Sequence, residues 1–401
     1  MIVENCRLCK SSKLNIVIDL GLHPLADTFL TEKQLNEKET FYPLRVQMCE
    51  DCGYAMSQYV VPAEERYQKN DYSYDSANSK VAVQHFEEMA EQIISRLQVS
   101  GNDLIVDIGS NVGTLLSAFR QKGGCRIIGV EPSANIAELA KKNNIPIVRD
   151  FFNAEAVKEI LKIGKPKVIT ATNVFNHIDG LDDFMKDICV LIRDGGVFVF
   201  EVPYLLDLVE KTAFDTIYLE HVSYFSIQPL THFLKQYNLA IEHIERNDYM
   251  GGSVRVYVRK KEEYPELTAR HIEQEQQANL YKPETYELFM SRVKKLRYDL
   301  CRQIYEIKSG GGKIIGIGAA TKGNTLLNYC KLDGNLLEYI TDSSPLKIGK
   351  YTPGSHIKIL SDQDIAKDIT HALILPWNIA PYLKSKLRHL NLEFVTPQLE
   401  E

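Results

Sequence analysis

Strands and helices alternate along the middle of this chain, and that alternation is the strongest constraint on its fold. Apolar segments such as DLIVDIGS, RIIGVEPS and VFVFEVPY have the length and composition of buried strands. Segments with apolar residues at helical spacing lie between them, and another, SKVAVQHFEEMAEQIISRL, precedes the first strand. Because parallel strands need a crossover that is usually a helix, the alternation predicts a doubly wound, mostly parallel α/β sheet.

The segments after this alternation predict how the sheet ends. SIQPLTHFLKQYN reads as a helix with Ser226 as its N-cap. Next, LAIEHIERN and GGSVRVYVRK are two strands close enough to pair antiparallel. The polar stretch from about residue 262 to 310 predicts one or two long helices.

The chain, at 401 residues, is longer than a usual single domain. We predict a cysteine-bearing module over residues 1–66, the central domain over 67–260 and a C-terminal domain over 261–401. The first module has strand-like segments at LNIVIDLG and PLRVQMC. The third opens with KIIGIGAATKGNTLLNYC, whose strand, Gly-rich turn and helix predict a second, smaller Rossmann-like sheet.

Composition excludes several classes of protein. A formal net charge of -6 leaves no basic surface for nucleic acid. No apolar run approaches the roughly 20 residues that span a bilayer, and the start MIVENCRLCK lacks the apolar core of a signal peptide. We therefore expect a cytoplasmic protein, a monomer, with no nucleic-acid or membrane partner.

Four of the eight cysteines are spaced as two pairs. Cys6 and Cys9 form CRLC, and Cys49 and Cys52 form CEDC. Two such pairs can supply the four thiolates of a tetrahedral structural Zn²⁺ site, provided that the stretch between them folds back. The alternatives are a chance grouping of free cysteines and a redox dithiol, although a dithiol needs only one pair. The remaining four cysteines stand singly in apolar surroundings and read as core residues.

A glycine-bearing turn in LIVDIGSNVGTLL predicts a nucleotide site. Asp107, Gly109, Asn111 and Gly113 lie where a first strand passes into a helix, and Glu131 ends the next strand, where a carboxylate can hold a ribose. A dinucleotide site is possible by spacing, but the full G-x-G-x-x-G is absent and Asp107 would repel a pyrophosphate. A carboxylate there suits the cationic end of S-adenosylmethionine. A merely structural glycine turn is the alternative.

This string resembles the first motif of class I methyltransferases, and the terminal antiparallel strand pair resembles the sixth and seventh strands of that fold. The resemblance implies that RDFFN lies against the adenine, with Phe151 or Phe152 stacked on it and Asp150 near its amino group. Asn173, after the fourth strand, joins the implied cofactor set. A structural role for Asp150 and Phe151 is equally open.

The whole chain resembles the S-adenosylmethionine-dependent C-methyltransferases that branch nucleotide-linked deoxysugars. The resemblance covers a four-cysteine zinc module, the class I methyltransferase (Rossmann-like) domain and a C-terminal Rossmann-like domain with GIGAATKGNTLLNY and KYTPGSHIKI. It implies an acceptor that is a nucleoside-diphospho 4-keto-6-deoxy sugar, methylated at carbon 3. The neighbouring ketone acidifies that C–H bond, so a base of near-neutral pKa can remove the proton.

The same resemblance assigns the catalytic residues. Within IYLEHVSYFS, whose composition also fits a half-buried strand, it implies His221 as the base and Tyr218 and Glu220 as its neighbours. Tyr72 and His177 join Tyr218 in positioning the sugar and the enolate oxygen, and Glu220 orients the substrate or the His221 ring. The alternative is that both histidines serve only in packing. Leu219 departs from the family, where a second histidine is common.

The string GAATKGNT superficially resembles a phosphate loop, but its lysine precedes the glycine, so the G-x-x-x-x-G-K-[ST] pattern fails. The family resemblance instead implies that this domain lines the sugar-nucleotide site. The implied residues near the diphosphate are Lys322, Asn324, Lys347, Lys350 and His356. A solvated surface is the alternative for the lysines.

Two other functions remain open from sequence. An O- or N-methyltransferase of another small metabolite would use Asp107 and Glu131 but leave Glu220 and His221 without a role. A non-catalytic zinc-bearing binding module would use neither set.

Overall fold

The computed structural model describes residues 1–193, 195–260 and 266–397, whose strands form three sheets. In chain order the strands are β1 (Leu14–His23), β2 (Tyr42–Cys49), β3 (Ala55–Ser57), β4 (Leu104–Ile108), β5 (Arg126–Val130), β6 (Ile147–Val148), β7 (Pro166–Thr172), β8 (Val197–Pro203), β9 (Ser223–Tyr224), β10 (Leu239–Asn247), β11 (Ser253–Lys260), β12 (Ile314–Ile317), β13 (Ile340–Asp342), β14 (Ile359–Ser361), β15 (His371–Ile374) and β16 (Glu393–Val395).

The α-helices connect and cover these strands. They are α1 (Ala63–Tyr67), α2 (Lys80–Leu97), α3 (Thr114–Gly123), α4 (Ala134–Lys142), α5 (Ala154–Ile163), α6 (Leu181–Leu191), α7 (Leu205–Glu210), α8 (Ile227–Lys235), α9 (Glu266–Gln277), α10 (Pro283–Ser309), α11 (Thr321–Cys330) and α12 (Ala380–Leu387). Within the described part of the chain, none is long and apolar enough to cross a membrane.

The central sheet has seven strands in the order β10-β11-β8-β7-β4-β5-β6. Only β11 runs antiparallel to its neighbours. Its pairing with β10 confirms the antiparallel pair predicted from LAIEHIERN and GGSVRVYVRK. The chain leaves β4 to form β5 on one side and later β7 on the other, so the carboxyl end of β4 is a topological switch point. Ligands of open α/β sheets bind at such points. The prediction of a doubly wound class I domain is confirmed.

The first sheet is antiparallel and has the order β1-β2-β3-β9. Its first two strands confirm those predicted from LNIVIDLG and PLRVQMC. Its last strand, β9, comes from the middle of the chain, within the segment predicted as the central domain. The zinc module is therefore joined through backbone hydrogen bonds to the stretch that holds the predicted base.

The third sheet is parallel, with the order β14-β13-β12-β15-β16. It confirms the predicted second Rossmann-like unit. The long helices α9 and α10 precede it, as the polar helical stretch indicated. The buried face of α10 includes Tyr286, Phe289 and Val293, which join the same hydrophobic core as the first two sheets.

Helix α8 begins where the sequence predicted, but its N-terminus is satisfied differently. Ser226 holds the N-cap position without a side-chain capping bond. The carboxylate of Glu275 on α9 instead accepts hydrogen bonds from the backbone N–H groups of Ile227 (2.5 Å) and Gln228 (3.0 Å). A full negative charge at the positive end of the helix dipole is more favourable than a hydroxyl, and only the tertiary fold supplies it.

Candidate functional site

The four paired cysteines come together at one end of the first sheet. Their sulfur atoms all lie within 4.8 Å of one another. The Sγ atoms of Cys6 and Cys52 are 3.6 Å apart, and those of Cys9 and Cys49 are 3.5 Å apart. A tetrahedral zinc ion with Zn–S bonds of about 2.3 Å needs sulfur separations of about 3.8 Å. The donor set therefore fits zinc and leaves no open position for a reactive water.

Each pair is formed by the same backbone turn. The N–H of Lys10 donates to the carbonyl of Cys6, and the N–H of Gly53 donates to the carbonyl of Cys49, both at 2.9 Å. Lys10 (φ 67°) and Gly53 (φ 78°) both have left-handed backbone. The two turns aim their thiols at one point between them, which is the folding-back that the sequence required.

A cleft of about 1410 Å³ opens at the carboxyl edge of the central sheet. It is lined by all three domains. Of the predicted site residues, it contains Asp107, Gly109, Asn111, Glu131, Phe151, Asn173, Tyr72, His177, Tyr218, His221, Lys322 and Lys347. The topological switch point thus shares one volume with the histidines of the predicted acceptor site.

The turn after β4 brings backbone close to the cleft. Gly109 has φ +64°, and a Cβ there would lie 2.4 Å from Cγ2 of Val174. Gly113 has φ +84°, and its Cβ would lie 2.4 Å from Cγ1 of Ile145. Both positions therefore require glycine on steric grounds. Gly113 shapes the start of α3 and is absent from the described lining of the cleft.

Glu131 is fixed at the rim of this turn. Its two carboxylate oxygens accept hydrogen bonds from the backbone N–H groups of Asn111 (3.0 Å) and Ser133 (2.8 Å). Burial raises its pKa while these hydrogen bonds oppose the rise. Each oxygen keeps a second lone pair, so a carboxylate held this way can accept two ribose hydroxyls.

Asp107 lies deeper, at the end of β4. The hydroxyl of Thr170 donates to its Oδ1 at 2.6 Å. Burial raises the pKa of Asp107 to about 7. A cationic ligand in the cleft would favour the ionised carboxylate and lower that pKa.

The remaining cofactor candidates are separated by the structure. Phe151 and Asn173 line the cleft. Asp150 is not part of its described lining, and its carboxylate instead accepts from the N–H of Phe151 (2.7 Å) and from Nδ2 of Asn153 (3.1 Å). Asp150 therefore organises the turn before α5, and its predicted contact with an adenine amino group stays a prediction.

The predicted base is held in a defined orientation. The carbonyl of Thr216 lies 2.8 Å from Nδ1 of His221. A carbonyl can only accept, so the ring proton is on Nδ1 and Nε2 carries the free lone pair. The ring of Tyr218 lies 3.8 Å from that of His221, and His177 meets the same ring edge-on at 4.7 Å.

Burial decides the charge of both histidines. It lowers the pKa of His221 to about 3, and the charge of Lys322 adds to this effect. The pKa of His177 is likewise well below its usual value because of burial, with smaller contributions from His221 and Arg66. Both rings are neutral at physiological pH, which is the form that can accept a proton. A pKa of about 3 for His221 is nevertheless below the near-neutral value expected of the base from sequence, and an anionic substrate beside the ring would raise it.

The phenols of the cleft remain protonated. Burial raises the pKa of Tyr72 and of Tyr218 well above the usual value, and Asp27 adds to both shifts. Each hydroxyl is therefore available as a hydrogen-bond donor. Tyr67, which the sequence did not single out, has its hydroxyl hydrogen-bonded to Nδ1 of His177 and lines the same cleft.

Glu220 lies between Tyr218 and His221 in sequence but is absent from the described lining of the cleft. Its Oε1 accepts the backbone N–H of Asp27 at 2.8 Å, and Oε2 has no partner among the described residues. Burial raises its pKa to about 8, with repulsion from Asp27 second. The guanidinium of Arg66 donates to the Glu220 carbonyl at 3.3 Å. The position suits a residue that fixes the wall of the cleft.

The predicted diphosphate residues divide into two groups. Lys322 and Lys347 line the cleft and are buried. Burial lowers the pKa of Lys322, and its Nζ lies 4.5 Å from the centre of the Trp377 ring. The described lining does not include Asn324, Lys350 or His356. Asn324 donates to the carbonyl of Ala26, and His356 pairs with Glu39 at 2.8 Å.

Known protein families match this chain in three successive parts. Three sequence families match: "Putative zinc binding domain" over residues 6–67, "Methyltransferase domain" over 83–244 and "C-methyltransferase C-terminal domain" over 248–397. The C-methyltransferase NovU of Streptomyces niveus is 29% identical over 384 residues, which cover 94% of this chain and 91% of NovU.

Solved structures resemble part of the chain. An S-adenosylmethionine-dependent methyltransferase from Clostridium acetobutylicum has a TM-score of 0.36 and 13% identity, covering 45% of this chain and 92% of its own. The plantazolicin methyltransferase BpumL in complex with SAH has a TM-score of 0.37 and 13% identity, and the match covers 46% of this chain and 87% of BpumL.

Proposed function

Because the chain belongs to the S-adenosylmethionine-dependent C-methyltransferases with an N-terminal zinc-binding domain, we propose that it methylates carbon 3 of a nucleoside-diphospho 4-keto-6-deoxy sugar. The observation that carries the proposal is the neutral imidazole of His221, with its acceptor nitrogen free in a cleft that also contains protonated phenols and buried lysines. Such a set suits removal of a proton next to a ketone on an anionic substrate.

In the proposed reaction, Nε2 of His221 takes the proton from carbon 3, and the electrons of the broken C–H bond form an enolate with the neighbouring ketone. S-adenosylmethionine, when bound, supplies the electrophilic methyl group that this carbon attacks. The hydroxyls of Tyr72 and Tyr218 donate hydrogen bonds to the oxygen that gains charge. The imidazolium and the enolate form as opposite charges in one buried site, which offsets the unfavourable burial of each.

Charge assigns the diphosphate end. Lys322 and Lys347 both come from the C-terminal domain and line the cleft. Burial lowers the pKa of Lys322, and a phosphate bound beside it would stabilise the charged ammonium. Roles for Asn324, Lys350 and His356 in this binding stay predictions.

The function is tested by incubating the protein with S-adenosylmethionine and a panel of 4-keto sugar nucleotides and measuring product mass. Incubation in deuterated solvent without the methyl donor should place deuterium at carbon 3, because proton removal precedes methyl transfer. An O- or N-methyltransferase has no need of that exchange. Methylation without exchange at any carbon would favour this alternative.

We expect Glu131→Ala to weaken binding of S-adenosylmethionine by roughly tenfold to a hundredfold, since a charge-assisted hydrogen bond contributes about 1.5–3 kcal/mol. Calorimetry on the purified protein measures this directly. The matched control is Glu138→Ala on α4, which removes an exposed carboxylate that pairs with Lys141. Unchanged affinity in Glu131→Ala would remove this residue from the cofactor site.

We expect the His221 ring to show no titration between pH 5 and 8, because burial lowers its pKa to about 3. Proton NMR of the imidazole resonances, with His221→Asn used for assignment, measures this. A midpoint near 6.5 for His221 would show that the ring is solvated, contrary to the site described above.

A further inference from the structure

Asp27 is a carboxylate in the cleft that the proposed reaction does not use. It lies in the loop after β1, within the zinc module, and is only 6% exposed. It nevertheless lines the cleft together with Tyr72 and Tyr218, and its charge acts on both of their hydroxyls. The first domain therefore contributes a side chain to the acceptor side of the cleft.

The backbone of Asp27 is fixed by the other domains. Its N–H donates to Oε1 of Glu220 at 2.8 Å, and its carbonyl accepts from the hydroxyl of Ser73 at 3.1 Å. The preceding carbonyl, of Ala26, accepts from Nδ2 of Asn324 at 2.7 Å. The backbone at Asp27 is thus held by the two other domains, which fixes where its side chain enters the cleft.

The carboxylate itself is incompletely compensated. The hydroxyl of Thr321, at the start of α11, donates to Oδ1, and the hydroxyl of Tyr72 makes a weaker interaction that also lowers the pKa of Asp27. Lys347 attracts the charge through space, but its own Nζ donates to the carbonyl of Ala319 at 2.7 Å. Burial raises the pKa of Asp27 despite these contacts. A buried carboxylate in such surroundings is costly, and such groups concentrate at functional sites.

We propose that Asp27 determines acceptor specificity by accepting a hydrogen bond from a hydroxyl or amino group at carbon 2 or carbon 3 of the sugar. The proposal rests on the function proposed above and names a residue of the same site. An ionised carboxylate can only accept, so it selects acceptors that present a donor there and disfavours those that present a carboxylate or no polar group.

The test compares acceptors that differ by one donor group. Two 4-keto-6-deoxy sugar nucleotides with and without the carbon 2 hydroxyl, and a second pair with and without a donor at carbon 3, are assayed with wild type and Asp27→Asn. The amide keeps an oxygen for Thr321 but presents N–H₂ in place of the second carboxylate oxygen. We expect the wild-type preference in kcat/KM for the donor-bearing member to fall about 10- to 100-fold in at least one pair.

Several readouts separate this role from a structural one. Asp27→Asn should keep its zinc content and its affinity for S-adenosylmethionine, and acceptor KM should rise more than kcat falls. Asp19→Asn is the matched control, because Asp19 lies in the same module, is exposed and pairs with Arg45. Thr321→Val removes the donor to Asp27 but leaves the carboxylate, so it should retain the preference even if Asp27→Asn folds poorly.

The outcomes are distinguishable. If wild type methylates no 4-keto sugar nucleotide, the proposed function fails. If wild type methylates them and Asp27→Asn shows the same preference in both pairs, Asp27 has no role in specificity and the inference alone is overturned. Equal loss of activity on all acceptors in Asp27→Asn, with zinc and cofactor binding intact, would likewise overturn it.

Discussion

Replacing His221 with asparagine is expected to lower the methylation rate by about 10²–10⁴-fold, while both ligands still bind. A general base contributes this range, which corresponds to roughly 3–5 kcal/mol of barrier. Asparagine retains a group that can donate to the Thr216 carbonyl but has no nitrogen lone pair of comparable basicity to point into the cleft. Steady-state kinetics with calorimetry of each ligand separates the loss of rate from any loss of binding.

Exchange of the carbon 3 proton gives an independent measurement. The base acts before the methyl group moves, so deuterium incorporation in His221→Asn should fall in proportion to methylation. His232→Asn is the control, because it removes an exposed imidazole on α8 that is absent from the described lining of the cleft. Near-normal turnover of His221→Asn would contradict the assignment.

His177 would then be the next candidate, and the geometry explains why it ranks second. Its Nδ1 is hydrogen-bonded to the hydroxyl of Tyr67, and its ring meets His221 edge-on. The hydroxyl can donate to that nitrogen, which would occupy its lone pair and leave Nε2 as an N–H donor. A histidine in that state can bind the ketone oxygen better than it can remove a proton.

Local patterns predicted the parts of this fold that local physics determines. The glycine turn after β4 follows from steric limits that only glycine meets, so Asp107 and Gly109 could be located by sequence. The two cysteine pairs could be read because each turn is built from four consecutive residues. Strand and helix alternation fixed the sheet class, because its connections are short.

Contacts made across domains could not be predicted in the same way. Asp27 and Tyr67 belong to no motif, and each reaches the cleft only because three domains pack together. Glu275 accepts from the N–H of Ile227, at the start of α8, 48 residues away in sequence. Strand β9 is two residues long, too short to show any periodicity, yet it joins the zinc module to the central domain. Such features depend on tertiary packing alone.

That junction lies directly against the proposed base. The hydroxyl of Ser57 in β3 donates to the carbonyl of His221 at 2.9 Å. The guanidinium of Arg66 donates to the carbonyl of His177 at 3.0 Å. Arg7, between the first two cysteines, donates to the hydroxyl of Ser223 in β9 at 2.7 Å. The zinc module therefore holds the backbone of both histidines that line the cleft.

Loss of the zinc ion should consequently abolish catalysis as well as destabilise the first domain. Thiolate sites contribute apparent binding energies of about 10–16 kcal/mol in zinc-finger peptides, which is as large as the whole stability of a typical domain, about 5–15 kcal/mol. We expect the double variant Cys49→Ala with Cys52→Ala to lose its zinc, to unfold in the N-terminal module and to show no measurable turnover.

Elemental analysis, thermal unfolding and kinetics on the same preparations measure these three effects. S-adenosylmethionine binding should persist in part, because Asp107 and Glu131 lie on the central sheet, and this retained binding distinguishes loss of the acceptor site from global unfolding. Cys189→Ala is the control, since it removes a half-buried thiol from α6 and leaves all four zinc ligands. Full zinc content in the double variant would exclude these ligands. Normal turnover of metal-free protein would show that the backbone of His221 and His177 is held without the module, contrary to the contacts that join them.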